Sequence, residues 1–252
     1  MTMTIDHSTL NAAAQADLDR CREYVMYHFE GRKRPPARHR LPPGGPAVTI
    51  AYQTGAGAHD IARRLTGILQ AFEPKGSAPW AVFDRELVEK VLEEHHLPSR
   101  LAKLLPEERR SYIRDVMEEF VGLRPPSWVV EPLVAESILH LAEAGQVILV
   151  GRGASVITAR MPNVFHVRLI ASLARRIERV QTLEHLAPEA AARFVARSDR
   201  GRGRYVRAYF HSRVDDDLQY HLVINTDRIP LPEAAQLIAD GAHRAFQRKE
   251  IP

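Results

Sequence analysis

Ala-Val-Thr-Ile-Ala (47–51), Tyr-Gln-Thr-Gly-Ala-Gly-Ala-His (52–59) and Asp-Ile-Ala-Arg-Arg-Leu-Thr-Gly-Ile-Leu (60–69) form one continuous stretch. The first piece is a short β-type run. In the last, Ile61, Leu65, Ile68 and Leu69 fall on one helical face. Strand, glycine-containing turn and helix make the opening unit of an α/β nucleotide-binding fold.

The chain downstream keeps the same rhythm. Trp80–Phe83 is a short apolar run, and Asp84 can cap a helix from Arg85 to about Glu94. Helical stretches follow over roughly 106–121 and 127–144. Gln146–Val150 is a strand running into Gly151-Arg152-Gly153, and Val164–Ile170 is the next strand. Ser172 caps a helix to about Leu186, and an arginine-rich helical stretch covers Pro188–Phe210. His221–Asn225 is the last strand, and Pro232 opens the last helix. Five short strands separated by helices predict a parallel sheet covered on both faces.

Upstream, residues 1–46 read as a separate segment. Leu18, Cys21 and Val25 place one amphipathic helix between Leu10 and Phe29. Gly31–Pro46 carries basic residues, five prolines and three glycines, so it reads as a linker. The domain proper then runs over residues 47–252.

With 252 residues the chain is long enough for a full core, and its 45% apolar and 26% charged residues are ordinary for a globular protein. A wholly disordered chain and a disulfide-built scaffold are excluded. The lone cysteine, Cys21, cannot form an internal bridge, which points to a reducing cytoplasm. No run approaches the ~18–20 apolar residues of a spanning helix, and MTMTIDHSTL lacks the pattern of a secretory signal. No membrane partner is expected. The formal net charge of +4 points to polyanionic partners.

Two features could receive a polyanion. A phosphate loop needs glycines so that backbone N–H groups can wrap a phosphate at a helix N-terminus. Gly55 and Gly57 suit that role, but the full G-x-x-x-x-G-K-[ST] motif is not met. Aligned on Gly57, its first glycine is Tyr52, its lysine is Ala58 and its hydroxyl is His59. Ala58 cannot stabilise phosphate charge, and imidazole is a poor Mg²⁺ ligand. An ordinary tight turn explains the glycines equally well. The second feature is a cluster of arginines. Arg193, Arg197, Arg200, Arg202, Arg204, Arg207 and Arg213 lie within 21 residues, with Asp199 among them. Gly201 and Gly203 are expected to interrupt that helix and let it bend. The stretch suits a lid closing on polyphosphate, a solvated basic helix, or an RNA-binding segment with Tyr205, Tyr209 and Phe210 for stacking.

Taken in order, these motifs resemble the cytidylate kinase-like family of P-loop nucleoside monophosphate kinases. The series runs through Gly-Ala-Gly-Ala-His-Asp-Ile-Ala-Arg-Arg-Leu (55–65), Phe-Asp-Arg-Glu-Leu (83–87) and Val-Ile-Leu-Val-Gly-Arg-Gly-Ala (147–154). It continues through Pro-Asn-Val-Phe-His-Val-Arg-Leu (162–169), Arg-Arg-Ile-Glu-Arg (175–179), the arginine stretch and Asp-Leu-Gln-Tyr-His-Leu-Val-Ile-Asn-Thr (217–226). The resemblance covers about residues 47–246. It implies a P-loop-type five-stranded parallel sheet with a helical lid at about 188–213, beside the N-terminal helical extension. It also implies phosphoryl transfer from ATP, with Mg²⁺, to a nucleoside monophosphate such as CMP or dCMP.

Carried over by position, Thr54, Gly55, Ala56, Gly57, Ala58 and His59 fall on the ATP phosphate loop. Arg152 falls on the acceptor-holding arginine of a Gly-Arg-Asp element, and Asp199 and Arg202 on the lid residues that contact CMP and phosphates. Asp84 and Arg85 fall on the acceptor side, and Arg200, Arg202, Arg204 and Arg207 become the lid cations. The departures are Ala58 for lysine, Val150 for the first acid of Asp-Gly-Arg-Asp, and Gly153 for the second.

The remaining features point to structure. Twelve histidines, including His95-His96, form no zinc pattern, so no metal-ligand residues are assigned. Trp80 and Trp128 suit packing, and Asp215-Asp216-Asp217 an acidic loop. Three functions stay open: an ATP-dependent nucleoside monophosphate kinase, a phosphate- or nucleotide-binding regulatory protein of little turnover, and an RNA-binding protein, with nucleic acid the least favoured partner. In the second, the N-terminal helix would dock a protein partner or a second copy.

Overall fold

The computed structural model describes residues 12–29, 45–84, 131–151 and 153–247. The elements are α1 (Ala12–Phe29), β1 (Ala47–Tyr52), α2 (Ala58–Phe72), β2 (Ala81–Phe83), α3 (Glu131–Ala144), β3 (Val147–Val150) and α4 (Ala154–Ile157). They continue with β4 (Val164–Ile170), α5 (Leu173–Glu184), α6 (Pro188–Phe210), a 3-10 turn (Asp217–Gln219), β5 (Leu222–Asn225) and α7 (Leu231–Gln247). The linker over 31–44, the helical expectations over 85–94 and 106–121, and Trp128 lie outside the described residues.

All strand pairings are parallel, in the order β2-β3-β1-β4-β5. The apolar run 47–52 takes the middle because both of its faces are covered. Val48 and Ile50 turn toward α2 and α7, where Ile61, Leu65, Ala235, Ile238 and Ala239 are buried with them. Ala47 turns to the opposite face with Val147 and Leu149, against Ile138 and Leu139 of α3 and Ile157 of α4. The α/β class and the five-stranded parallel sheet follow as the strand pattern implies.

The amino-terminal helix lies against this second face. Leu18, Cys21, Tyr24 and Val25 are buried in the same cluster as Phe83 and Leu149. The Cys21 thiol donates to the Val82 carbonyl at 3.1 Å, and the Tyr24 hydroxyl donates to the Gly145 carbonyl at 2.6 Å. Burial pushes the Cys21 thiol well above the usual range. The apolar face of α1 is therefore covered by the chain's own sheet. Trp80 is buried as well, its indole N–H 3.3 Å from the Glu73 carboxylate.

One expectation is corrected. Gly201 and Gly203 do not interrupt the helix: α6 is continuous over Pro188–Phe210. Each glycine costs about 1 kcal/mol there relative to alanine. Burial of Ala191, Val195 and Val206 on one side of α6 offsets that cost.

A polar line runs through the sheet beneath the site. The Thr49 hydroxyl is 2.8 Å from His166 Nδ1, and the His166 backbone N–H donates to His221 Nδ1 at 2.9 Å. The two imidazoles stack at 5.2 Å. Burial, with His221 alongside, pushes His166 down to about 4.

Candidate functional site

The turn from β1 into α2 is shaped by two glycines. Gly55 and Gly57 hold φ of 84° and 85°, which side chains rarely adopt. Space forbids side chains as well. A Cβ on Gly55 would collide with the Arg176 carbonyl oxygen, and one on Gly57 would sit 2.7 Å from Leu231 Cδ2. Gly57 caps α2 without a side-chain bond, so the first-turn N–H groups keep the polarity that attracts anions. Ala58, at the lysine position, is buried in the apolar layer of α2 and α7. His59, at the hydroxyl position, lies with Nε2 3.3 Å from an Asp84 carboxylate oxygen, and its ring meets Tyr52 edge-on.

The arginine-rich helix comes to this turn. Asp199 accepts from the Thr54 N–H at 2.8 Å and the Thr54 hydroxyl at 2.6 Å, and it pairs with Arg176. Arg202 donates to the Tyr52 carbonyl at 2.7 Å and to the Thr54 hydroxyl oxygen at 2.8 Å. Asp199 and Arg202, expected on the acceptor, are thus bonded to the loop itself. From α5, Arg176 and Arg179 reach the carbonyls of Thr54 and Gly55 at 3.4 and 3.2 Å. Arg179 also holds Thr226, whose hydroxyl donates to the Ala56 carbonyl at 3.1 Å.

Beside the turn is a cavity of about 750 Å³, bounded by Tyr52, Gln53, Gly151 and Gly153 at the carboxyl ends of β1 and β3. The strands all run the same way, but the connection from β1 leads to one side of the sheet and that from β3 to the other; the crevice between two such strands is where open α/β sheets bind ligands. Arg197, Arg200, Arg202, Arg204 and Arg207 line it from α6, with Arg168 from β4 and Arg213 from the following loop. Against them stand the carboxylates of Asp199 and Asp215, so the cavity favours anions. Arg213 holds Asp215 through two bonds of 3.1 and 3.0 Å, and those bonds push the Asp215 carboxyl down to about 2. Asp216 caps the 3-10 turn, so the acidic run is an ordinary loop.

Of the expected site residues, Asp199, Arg200, Arg202, Arg204 and Arg207 gather at the cavity. Thr54, Gly55, Ala56, Gly57, Ala58 and His59 stand beside it without lining it, and Asp84 stands at His59. Arg85 and Arg152 lie outside the described residues. Two departures acquire physical reasons. Val150 is buried among apolar side chains. Gly153 has φ of 69°, and a Cβ there would lie 2.8 Å from the Phe210 ring.

Arg168, Arg176 and Arg179 stand in the runs 162–169 and 175–179 that carry the resemblance, but the sequence assigned them no site role. The spacing of Arg176 and Arg179 puts them on one helical face. Arg168 carried a clearer signal, a charge inside the apolar strand run Val164–Ile170. Among the described residues no three of His, Cys, Asp and Glu gather as metal ligands, and no helix is long and apolar enough to cross a membrane.

Comparison with known proteins bears on this arrangement. A solved structure of an uncharacterized protein from Eubacterium ventriosum ATCC 27560 is similar with a TM-score of 0.53 at 19% identity, over 79% of this chain and 98% of that one. A shikimate kinase from Acinetobacter baumannii, solved in complex with shikimate, gives a TM-score of 0.37 at 13% identity, over 82% and 96% of the two chains. A uronate isomerase from Corynebacterium glutamicum is 30% identical over 109 residues, which are 43% of this chain and 21% of that protein. The chain thus spans about a fifth of the length of that curated relative. The model of the cytidylate kinase-like family matches residues 47–228, from the first residue of β1 to just past β5. With the whole sheet, the glycine turn and the arginine helix inside that match, the chain belongs to the cytidylate kinase-like family.

Proposed function

We propose that this protein transfers the γ-phosphoryl group of ATP to a nucleoside monophosphate, with CMP or dCMP as acceptor, in the cytoplasm. Family membership supports a kinase-like function on a nucleotide or another small molecule; donor and acceptor are the proposed refinement. The observation that carries it is the convergence, among the described residues, of seven arginines on one cavity beside the glycine turn. Phosphoryl transfer depends mainly on positioning and on charge placed against the phosphates. The usual lysine position is closed, because Ala58 is buried. The cations must then come from Arg200, Arg204 and Arg207, which are exposed along the cavity, with Arg202 already fixed on the loop.

ATP phosphates fit this donor set, since guanidinium forks match phosphate oxygens. Mg²⁺ does not fit as well. It prefers oxygen ligands, and the hydroxyl position holds His59, with Asp84 the carboxylate beside it. No step is assigned to the metal.

A second reading, a nucleotide-binding protein with little turnover, is favoured by a separate observation. The Asp199 carboxylate takes the Thr54 N–H, and the Tyr52 side chain stands where the motif has a glycine. Purified protein incubated with ATP, Mg²⁺ and a panel of nucleoside monophosphates decides. Acceptor-dependent ADP formation is expected. Calorimetric ATP binding without turnover overturns the kinase reading in favour of the second. Steeply salt-dependent binding of single-stranded RNA, lost in Arg202→Ala/Arg204→Ala, moves the function to RNA.

A further inference from the structure

Among the described residues, Arg168 is the one lining arginine that comes from the sheet. It is 7% exposed, on β4 opposite Ala51 of β1. The small Ala51 side chain, also in the lining, leaves room for the guanidinium. Its surroundings hold it loosely. Nε is 3.9 Å from an oxygen of Asp217, which is 72% exposed, and Cζ is 5.6 Å from the centre of the Tyr220 ring.

The contrast with Arg176, the other buried arginine among the described residues, is informative. Arg176, 8% exposed, places its donors on the Ala171 and Thr54 carbonyls and on Asp199. Arg202 and Arg179 likewise bond to the loop. Those three are fasteners. Arg168 makes no hydrogen bond to any described residue. A buried guanidinium carries five donors in a planar fork, and leaving them unmatched is costly. Arg168 lines the cavity, so a ligand there can match them.

We propose that Arg168 anchors the acceptor's phosphate monoester at the floor of the cavity, through paired bonds from its guanidinium, and so selects an anionic acceptor. This rests on the kinase reading above and adds to it a specificity residue on the strand. A phosphate dianion suits the position because Arg204 and Arg207 line the same cavity and extend the positive field. A strand gives the side chain a more precisely placed backbone than a loop would.

The test is calorimetry with inorganic phosphate, CMP and ATP as separate probes, on wild type, Arg168→Gln and Arg168→Lys. Arg168→Gln is expected to weaken phosphate and CMP binding at least tenfold and ATP binding less than twofold. Arg168→Lys is expected to restore part of the loss, since it keeps the charge and loses the fork. Unchanged CMP affinity overturns the proposal, and so does an equal loss for ATP. Should Arg168→Gln not fold, the Nε–Hε resonance of Arg168 in the wild-type protein gives the same decision. It is expected to shift on adding phosphate, and a resonance that stays fixed at saturation overturns the proposal. The two readings fail separately. Arg168-dependent CMP binding without ADP formation removes the kinase and keeps the anchor. CMP-dependent turnover with normal CMP affinity in Arg168→Gln does the reverse.

Discussion

The guanidinium of Arg202 lies 4.1 Å from the centre of the Tyr52 ring and donates to the Tyr52 carbonyl at 2.7 Å. The arginine helix is thereby fastened to the residue that replaces the first glycine of a phosphate-binding motif. A cation over an aromatic face contributes about 0.5–1 kcal/mol at a partly exposed site. A double-mutant cycle of Tyr52→Leu and Arg202→Met, read by urea unfolding, is expected to give a coupling energy of about that size. Strict additivity would show that the ring contact contributes nothing.

Asp199 bears a heavier share of the same junction. It accepts two bonds from Thr54 and neutralises Arg176, which is nine-tenths buried. Asp199→Ala leaves that cation without its partner, a loss on the order of 3 kcal/mol. The unfolding midpoint should drop accordingly, and amide exchange in the turn 53–57 should quicken. Asp199→Asn keeps one acceptor and should lose less. Equal midpoints for wild type and Asp199→Ala would show that the ion pair does not hold α6 to the turn.

This junction also marks where sequence reading stops. Local patterns suffice for Val164–Ile170 and Pro188–Phe210, because an apolar run and a proline start are written in adjacent residues. The Ser172 cap is equally local, with its hydroxyl accepting from the Arg175 N–H. The Asp199–Thr54 bonds join residues 145 positions apart, and no periodicity encodes them. The continuity of α6 through Gly201 and Gly203 has the same origin, since Asp199 and Arg202 tie down its middle. Burial of α1 depends on Val82 and Gly145 offering carbonyls to Cys21 and Tyr24, which only the folded sheet reveals. Arg168 was legible as a misplaced charge, but its lack of a hydrogen bond to any described residue was not.

The Thr49–His166–His221 line gives stability a pH dependence. Burial lowers His166 from 6.5 to about 4, and His221 is lowered in the same direction. Between those two pH values the unfolded chain binds a proton that the folded chain refuses. Stability therefore falls as pH drops below about 6.5, and the loss is complete below about 4. His166 accounts for roughly 3 kcal/mol of it. His221 Nδ1 accepts the His166 N–H, and a proton on that nitrogen breaks the bond. Urea midpoints measured at about pH 7.5 and about pH 5 should differ less in His166→Asn than in wild type. An identical acid slope in both would assign the effect to other groups.

Two glycine substitutions should move stability in opposite directions. Gly57 has φ of 85°, and a Cβ there meets Leu231 Cδ2 at 2.7 Å. Gly57→Ala faces both backbone strain and a clash, at a cost of about 2 kcal/mol. Gly201 lies inside α6 with nothing within 4 Å of an added Cβ. Gly201→Ala removes unfolded-state freedom and meets no neighbour, so it should stabilise by about 0.5–1 kcal/mol. Thermal unfolding of both variants reads the signs directly. A stabilising Gly57→Ala would contradict the packing of the turn against α7. A destabilising Gly201→Ala would contradict a continuous α6, because only a non-helical backbone at 201 could make alanine the worse residue there.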